Sequence, residues 1–288
     1  MTKTPRFHRI GIVGTGRVAR ALALGLAEWS DLPLLVWGRA RERAEQLGGE
    51  AAQSMAQLAQ ACDVIALAVS DDALNSVAGE LAAVWPEHSA GFVFHVSGRS
   101  GLAPLEVLAL RGAKTAAIHP AMTFTGDPAA ELRRMAGARF AVTAAEAETV
   151  AIAHRLVAAL GGMAVDIAEA QRPLYHAALC HAANHLVTLM AGSMEALARA
   201  GVADGSALLA PLVRAALENS LSMGFGALSG PLLRTDTETI GGHLAALKRD
   251  CPELLAAYRA MGNATLDRLE RGGKEVAPPL RAILDTHA

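Results

Sequence analysis

The 288-residue sequence is poor in net charge, in cysteine and in aromatic residues, and each scarcity excludes a class of protein. Lys and Arg number 26 against 28 Asp and Glu, so the net charge of −2 provides no basis for binding nucleic acid or an anionic membrane. The cysteines Cys62, Cys180 and Cys251 are odd in number and lack Cys-x-x-Cys spacing, which predicts neither a disulfide framework nor a metal site. Aromatic residues make up 4% and hydrophobic residues 52%, a composition typical of closely packed helices and short buried strands.

Long apolar runs that could enter a membrane are also missing. The run Ile10–Val13 is cut by two glycines and an arginine before it reaches the length of a signal-peptide core. Residues 173–194 carry no formal charge, but this segment contains polar side chains that are costly in hydrocarbon, namely His176, His181, Asn184 and His185. We therefore expect a cytoplasmic protein, with a buried or interfacial helix at 173–194.

Short apolar runs alternate with helical patterns up to residue 168, as in βαβ units around a parallel sheet. The predicted strands are Ile10–Gly14, Leu34–Gly38, Asp63–Val69, Gly91–Val96, Thr115–Ile118, Arg139–Val142 and Met163–Ile167. Long Ala- and Leu-rich helical patterns follow without any strand signal. The sequence predicts an α/β fold, with a doubly wound parallel-sheet domain over residues 1–168, an all-α domain over 169–288 and a cleft between them.

A glycine motif follows the first predicted strand and opens a helix. The run Gly14-Thr15-Gly16-Arg17-Val18-Ala19 has the form G-x-G-x-x-A. Gly14 permits a tight turn, Gly16 lets the backbone approach a pyrophosphate, and the helix N-terminus receives the anion. We assign residues 14–18 to a dinucleotide cofactor and the domain to the Rossmann type. The alternative is that the glycines only pack a βα turn.

The end of the second predicted strand indicates which dinucleotide binds. An acidic residue at this point would hold the ribose hydroxyls of NAD, but the chain has Arg39, followed by Arg41 and Arg43. A guanidinium can pair with a 2′-phosphate, so we predict NADP(H) in preference to NAD(H). The alternative is that these arginines form a solvated first helical turn.

Polar residues also follow the third, fourth and fifth predicted strands, at the edge where doubly wound domains bind ligands. Ser70 and Ser97 are predicted cofactor contacts, with an N-cap role for at least one of the aspartates after Ser70. His119, held by Pro120, can exchange a proton with a substrate and is the predicted acid/base. The alternative for His119 is a ring satisfied by backbone at a strand end.

Two more candidates lie further along the chain. His176, Cys180 and Asn184 follow one another at steps of four on the first long helix, with Asn184 predicted to orient the substrate and His176 to add a polar contact. The alternative is that they are polar residues satisfied between packed helices. Arg234 can clamp a substrate carboxylate, with Asp236 beside it. Thr235 and Glu238 also fit a capping box, so this segment can equally be a helix start.

Together these motifs resemble the Rossmann-like oxidoreductases of the 6-phosphogluconate dehydrogenase-like superfamily, and within it a bacterial group described as NADP- or deazaflavin-dependent oxidoreductases. The resemblance rests on five motifs: Gly11–Gly16, His95-Val96-Ser97-Gly98, His119-Pro120 with Phe124, Tyr175-His176 leading to Asn184, and Ser229-Gly230-Pro231 leading to Arg234 and Asp236. Relatives in that superfamily include pyrroline-5-carboxylate reductase, ketopantoate reductase and prephenate dehydrogenase. The resemblance implies a Rossmann domain followed by a helical domain that often forms dimers.

One departure from these families bears on the chemistry. Prephenate dehydrogenases place a catalytic histidine in a turn similar to His119-Pro120. The β-hydroxyacid and ketopantoate enzymes use a Lys-x-x-x-Asn pair, and the matching residues here are Cys180 and Asn184. Without that lysine, His119 must carry more of the proton transfer, or His176 must substitute.

The sequence thus predicts an NADP(H)-dependent oxidoreductase that acts on a small polar carbonyl, imine or hydroxyacid substrate. The alternative is a non-catalytic NADP(H)-binding sensor, which the missing lysine favours. Because residues 173–194 are apolar and uncharged, we also expect a homodimer formed through the helical domain.

Overall fold

The computed structural model describes residues 6–87 and 89–285. The chain divides into two compact units, Met1–His181 and Ala182–Ala288, and this division falls inside helix α8 (Arg172–Arg199). Over the described residues, no helix is both long enough and apolar enough to cross a membrane.

The first unit contains one eight-stranded sheet. Its strands lie in the order β3-β2-β1-β4-β5-β6-β7-β8, which places the topological switch point between β1 and β4. The strands are β1 Ile10–Val13, β2 Leu35–Trp37, β3 Glu50–Ala51, β4 Val64–Leu67, β5 Phe92–His95, β6 Lys114–Pro120, β7 Arg139–Ala144 and β8 Met163–Asp166. All seven predicted strands are present. The additional strand β3 has two residues, which is too short to leave a pattern in the sequence.

One strand pair departs from the predicted parallel arrangement. β7 runs antiparallel to β6, with His119 opposite Ala141, whereas the other neighbouring strands pair in parallel. An apolar strand buried on both faces has the same composition in either direction, so the sequence carried no signal for the reversal.

Helices cover both faces of this sheet. They are α1 Arg17–Leu26, α2 Arg41–Glu45, α3 Met55–Ala61, α4 Asp71–Ala83, α5 Glu106–Ala109, α6 Pro128–Met135 and α7 Ala147–Ala159. The sequence predicted helices near Arg17–Trp29, Ala40–Leu47, Asp72–Val84, Ala103–Leu110 and Ala145–Leu160. Helices α3 and α6 were not predicted, although both begin at ordinary capping residues. Ser54 accepts a hydrogen bond from the backbone N–H of Gln57, and Asp127 accepts one from Ala130.

The strand side chains alternate between two buried cores. Ile10 and Ile12 point into the core covered by α1, α6 and α7, whereas Val13 points into the core covered by α3 and α4. Fully burying a large aliphatic side chain contributes about 1.5–3 kcal/mol. These two cores hold the sheet rigid, and with it the loops at its carboxyl edge.

The second unit is helical, as predicted. It contains the remainder of α8 together with α9 Gly205–Met223, α10 Thr237–Asp250, α11 Leu255–Arg271 and α12 Pro278–Asp285. Its core is formed by α10, α11 and α12, and its buried members are Ile240, Leu244, Leu266, Leu269, Leu280 and Leu284. No residue of α9 is buried.

Candidate functional site

The turn between β1 and α1 requires glycine at position 14. Gly14 has φ of +122°, a conformation that side chains rarely adopt, and a Cβ there would lie 2.2 Å from the carbonyl oxygen of Ala68. A Cβ on Gly16 would meet no atom within 4 Å. The two glycines therefore have different roles. Gly14 is required by the backbone of the turn, and Gly16 leaves open space next to the backbone, where a ligand can approach.

The N-terminus of α1 is suited to an anion. Gly16 occupies the N-cap position, and within the described residues no side chain caps the helix there. The first turn also contains no acidic residue. The backbone N–H groups and the helix dipole are thus available to a pyrophosphate.

A cavity of about 900 Å³ lies beside this turn. Several predicted cofactor residues line it together with Trp37, namely Gly14, Thr15, Gly16, Arg39 and Ser70. Its volume is in the range of small-molecule and cofactor sites. Arg43 also lines the cavity, whereas Arg41 forms an i,i+4 ion pair with Glu45. The open glycine, the uncapped helix and the two arginines fit a phosphorylated dinucleotide.

Three predicted cofactor residues have other contacts. Arg17 donates a hydrogen bond from Nη1 to the carbonyl oxygen of Phe124 at 3.1 Å, and Val18 packs against the core. Ser97 is buried, and its hydroxyl accepts a hydrogen bond from the backbone N–H of Ser100. Their assignment to the cofactor stays a prediction.

The expected capping role of the aspartates after Ser70 was wrong. Ser70 itself holds the N-cap position of α4, and Asp71 and Asp72 lie in the first turn. Arg99 donates from Nε to the Asp71 carboxylate at 3.0 Å, so this pair links the loops that follow β4 and β5.

A histidine–tyrosine pair lies at the carboxyl end of β6. The Nδ1 atom of His119 is 2.9 Å from the hydroxyl oxygen of Tyr175 on α8, and the two rings meet edge to face. The ring of His176 also meets His119 edge to face, at 6.0 Å between centroids. The structure thus brings together the predicted residues His119 and His176 and adds Tyr175, for which no role was predicted. The sequence signal that could have indicated Tyr175 is its position directly before His176 at the start of the helix.

Gly98 borders this cluster closely. A Cβ at position 98 would lie 2.5 Å from Cδ2 of His176 and 2.9 Å from Nε2 of His119. Glycine is therefore what allows both rings to stand against the loop after β5. Cys180, one turn along α8, places its sulfur 3.6 Å from Nε2 of His176.

His95, at the end of β5, holds the loop after β5 through two hydrogen bonds. Its ring is fully buried, with Nε2 at 2.7 Å from the carbonyl oxygen of Gly101, and Nδ1 accepts the backbone N–H of Ser97 at 3.1 Å. Because Nδ1 is an acceptor, Nε2 carries the proton and donates it to Gly101. Burial lowers the pKa of His95 to about 4, so the ring is neutral at pH 7.

Arg172, the first residue of α8, is completely buried beneath the cluster. Its guanidinium donates to the Thr143 hydroxyl at 2.8 Å and to three backbone carbonyl oxygens, those of Ser97 at 3.2 Å, Ala117 at 2.7 Å and Ala141 at 3.1 Å. Arg172 thereby ties the start of α8 to the loop after β5 and to strands β6 and β7. This anchoring holds Tyr175 and His176 against His119.

The protonation states of the pair follow from burial and from Arg172. Burial, followed by the positive charge of Arg172, lowers the pKa of His119 to about 4. Burial raises the pKa of Tyr175 above its ordinary value of 10.0. At pH 7 the pair is a neutral imidazole and a protonated phenol, an arrangement that can deliver a proton to a substrate and recover one.

The other predicted residues lie in the second unit. Asn184 and Arg234 are exposed, and the Asp236 carboxylate caps α10 by accepting hydrogen bonds from the backbone N–H and the hydroxyl of Thr239, at 3.0 and 2.8 Å. The helix start is thus built by Asp236 and Thr239, and the expected box of Thr235 and Glu238 was wrong.

A glycine-lined cavity at the switch point of a doubly wound sheet is the arrangement typical of Rossmann-type domains. The sequence of residues 2–120 matches the Rossmann-like domain family, and residues 138–265 match a family described as a domain of unknown function, DUF2520. Two domain families thus match successive parts of the chain, and the predicted Rossmann-like architecture of its first part is confirmed.

Solved structures share this fold along nearly the whole chain. A Bacteroides fragilis protein, BF3122, provisionally named an NADP oxidoreductase, is 20% identical with a TM-score of 0.72, and the match covers 90% of this chain and 97% of that one. A reductive aminase from Aspergillus terreus, solved with NADPH and ethyl-5-oxohexanoate, is 18% identical with a TM-score of 0.70, over 96% and 98% of the two chains. A pyrroline-5-carboxylate reductase from Coxiella burnetii is 18% identical with a TM-score of 0.55, over 91% and 97%. No curated protein matches the sequence.

Proposed function

We propose that this protein is an NADP(H)-dependent oxidoreductase that acts on a small polar substrate with a carbonyl, imine or hydroxyacid group. The observation that carries the proposal is the His119–Tyr175 pair at the same sheet edge as the glycine-lined cavity. Strands β1, β4, β5 and β6 are adjacent and parallel, so their carboxyl ends meet along one edge. The names of BF3122 and of the reductase neighbours support this class of reaction.

When bound, NADPH would supply the hydride. Gly14, Thr15 and Gly16 would hold its pyrophosphate, and Arg39 with Arg43 its 2′-phosphate. The Tyr175 hydroxyl would donate its proton to the reduced group and become a phenolate. The neutral His119 ring, with its hydrogen on Nδ1, would then return a proton to that oxygen through the 2.9 Å hydrogen bond while Nε2 takes one from solvent. The sequence-based roles of Asn184 and Arg234 in substrate binding, and the cytoplasmic location, stay predictions.

Two measurements test the proposal. NADPH affinity is measured by quenching of protein fluorescence, and turnover by loss of absorbance at the dihydronicotinamide band with panels of carbonyl, imine and hydroxyacid compounds. Binding with turnover of any panel supports an oxidoreductase. Tight binding without turnover on all three panels would instead support a non-catalytic NADP(H) sensor.

Replacing Arg39 with alanine is expected to raise the Kd for NADPH by about 10- to 100-fold, because a hydrogen-bonded pair with the charged 2′-phosphate is lost. The Kd for NADH should change little, so the preference between the two cofactors is the quantity to measure. Arg41→Ala is the matched control, since Arg41 pairs with Glu45. An Arg39→Ala protein that keeps its NADPH preference would refute this assignment.

We also propose that the protein is a homodimer formed through α9. Apolar side chains of this helix are exposed, among them Leu212 at 63% and Leu221 at 79%, and a helix this apolar is unstable in water without a partner. A second copy of the chain supplies the same helix and hence a self-complementary surface.

Leu212→Glu is expected to convert the dimer into monomers, because dimerisation would bury an unpaired carboxylate. Sedimentation equilibrium measures the change. Leu110→Glu, at an exposed leucine of the first unit, is the control and should leave the mass unchanged. A wild-type protein that is monomeric at all concentrations would exclude the dimer.

A further inference from the structure

We propose that buried Arg172 selects the charge of the reacting group, so that this site reduces neutral carbonyl compounds in preference to cationic iminium compounds. The inference rests on the proposed function and narrows its substrate class. Arg172 is out of reach of a substrate and acts through its charge, as a specificity-determining residue.

The first observation is that no carboxylate neutralises Arg172 directly. Its four hydrogen-bond acceptors in the described structure are one hydroxyl and three backbone carbonyl oxygens, all of them uncharged. The nearby acidic residues have other partners. The Glu169 carboxylate accepts the backbone N–H of Leu102 at 2.8 and 2.9 Å, and Asp71 pairs with Arg99. Glu169 is exposed, and its carboxylate offsets the charge of Arg172 only in part, so Arg172 remains a buried positive charge beside the site.

The second observation is how the surrounding charges act on the protonation of His119, the titratable ring at the reacting position. In the part of the chain that the structure describes, the side chains that bond or stack with His119 are those of Tyr175 and His176, and neither is a carboxylate. The positive charge of Arg172 opposes protonation of His119 more strongly than Asp71 favours it. A planar imidazolium has the charge of an iminium ion, so a cationic substrate meets the same penalty.

The positive charge of Arg172 also favours negative charge on a reacting substrate. In a carbonyl reduction the carbon accepts the hydride that NADPH supplies, the C=O π pair moves onto oxygen, and the oxygen takes its proton from Tyr175. The phenolate that remains regains a proton from solvent through the His119 ring. The alcohol is the reduced product and NADP⁺ the oxidised one. The negative charge that develops on oxygen is stabilised by fixed positive charge in a poorly solvated site. An iminium ion brings its positive charge into the site, so Arg172 opposes its binding and also opposes the transition state, which retains part of that charge.

The test compares cyclopentanone with 1-methyl-1-pyrrolinium, a permanently cationic iminium of the same ring size. For the wild-type protein we expect kcat/KM with NADPH to be at least about tenfold higher for the ketone. Equal or faster reduction of the iminium would overturn this inference and leave the proposed function intact. If NADPH binds and neither compound, nor any member of the wider panels, is reduced, the proposed function fails and the inference with it.

Variants connect the preference to Arg172. Arg172→Met removes the charge and should raise the pKa of His119, measured from the NMR shift of its C2 proton, and move the ketone-to-iminium ratio towards the iminium by about tenfold. Arg172→Lys retains the charge and should keep the wild-type preference. A purely structural role for Arg172 would impair both variants without moving the His119 titration.

A second substitution avoids the buried position, in case Arg172→Met does not fold. Asp71 is partly exposed and raises the pKa of His119, so Asp71→Asn should lower that pKa further and increase the preference for the ketone. The Kd for NADPH reports whether each variant retains its fold. A ratio that stays constant, or moves towards the iminium, in Asp71→Asn would overturn the inference.

Discussion

Replacing Tyr175 with phenylalanine is expected to lower kcat by about 100- to 1,000-fold, because the site loses the hydroxyl that donates the proton. The Kd for NADPH should stay within a small factor of the wild-type value, because Tyr175 lies on α8 against His119 and does not line the glycine-lined cavity. The ring of phenylalanine retains the edge-to-face contact with His119, so the fold is expected to survive.

The chain contains a matched control for this substitution. Its second tyrosine, Tyr258, also forms a hydrogen bond with a histidine, His243, at 2.7 Å and with edge-to-face rings, but this pair lies in the second unit. Tyr258→Phe should leave kcat near the wild-type value. Steady-state kinetics of both variants, with the substrate identified from the panels, measure the difference. Equal kcat values for the two variants would remove Tyr175 from the proton transfer.

Replacing Gly14 with alanine is expected to abolish NADPH binding and to destabilise the first unit. The backbone conformation alone costs a non-glycine residue about 1–3 kcal/mol, and the new Cβ would also overlap the backbone oxygen of Ala68. Each kcal/mol lost lowers the Tm by about 2–4 °C in a protein of this size class. Thermal unfolding followed by circular dichroism measures the stability, and fluorescence quenching measures the binding.

Gly16→Ala distinguishes a role of this glycine in the βα turn from a role in cofactor binding. A Cβ at position 16 meets no protein atom within 4 Å, so the Tm should change by less than about 2 °C, yet the Kd for NADPH should rise about tenfold or more if the pyrophosphate approaches this backbone. If Gly16→Ala binds NADPH as well as the wild-type protein, the glycines only pack a βα turn.

The phenol–imidazole pair offers a proton source in place of the lysine, which is replaced by Cys180 in this sequence. That absence left His119 or His176 as the predicted proton source. In the proposed mechanism Tyr175 donates the proton instead, and His119, kept neutral by burial and by Arg172, relays a replacement proton to it. Cys180 lies against His176, one turn further along α8.

Much of the fold was predictable because its signals are local. Apolar runs, glycine turns and helical periodicity predicted seven of the eight strands and the helical second half, and Gly14 and Arg39 were assigned from their position after a strand. The short strand β3 and the helices α3 and α6 escaped because two to eight residues carry too little periodicity. Asp236 was ambiguous because the same residue type suits a substrate contact and a helix cap.

The sequence by itself determined that a dinucleotide fingerprint opens an α/β domain and that a histidine follows the fifth predicted strand. Only the tertiary structure decided which groups share that histidine's surroundings. Arg172 and Tyr175 are separated from His119 by more than 50 positions in the chain, and strand β7 reverses direction before they are reached. Contacts of this kind depend on how strands are ordered and buried, and no local pattern of residues encodes that order.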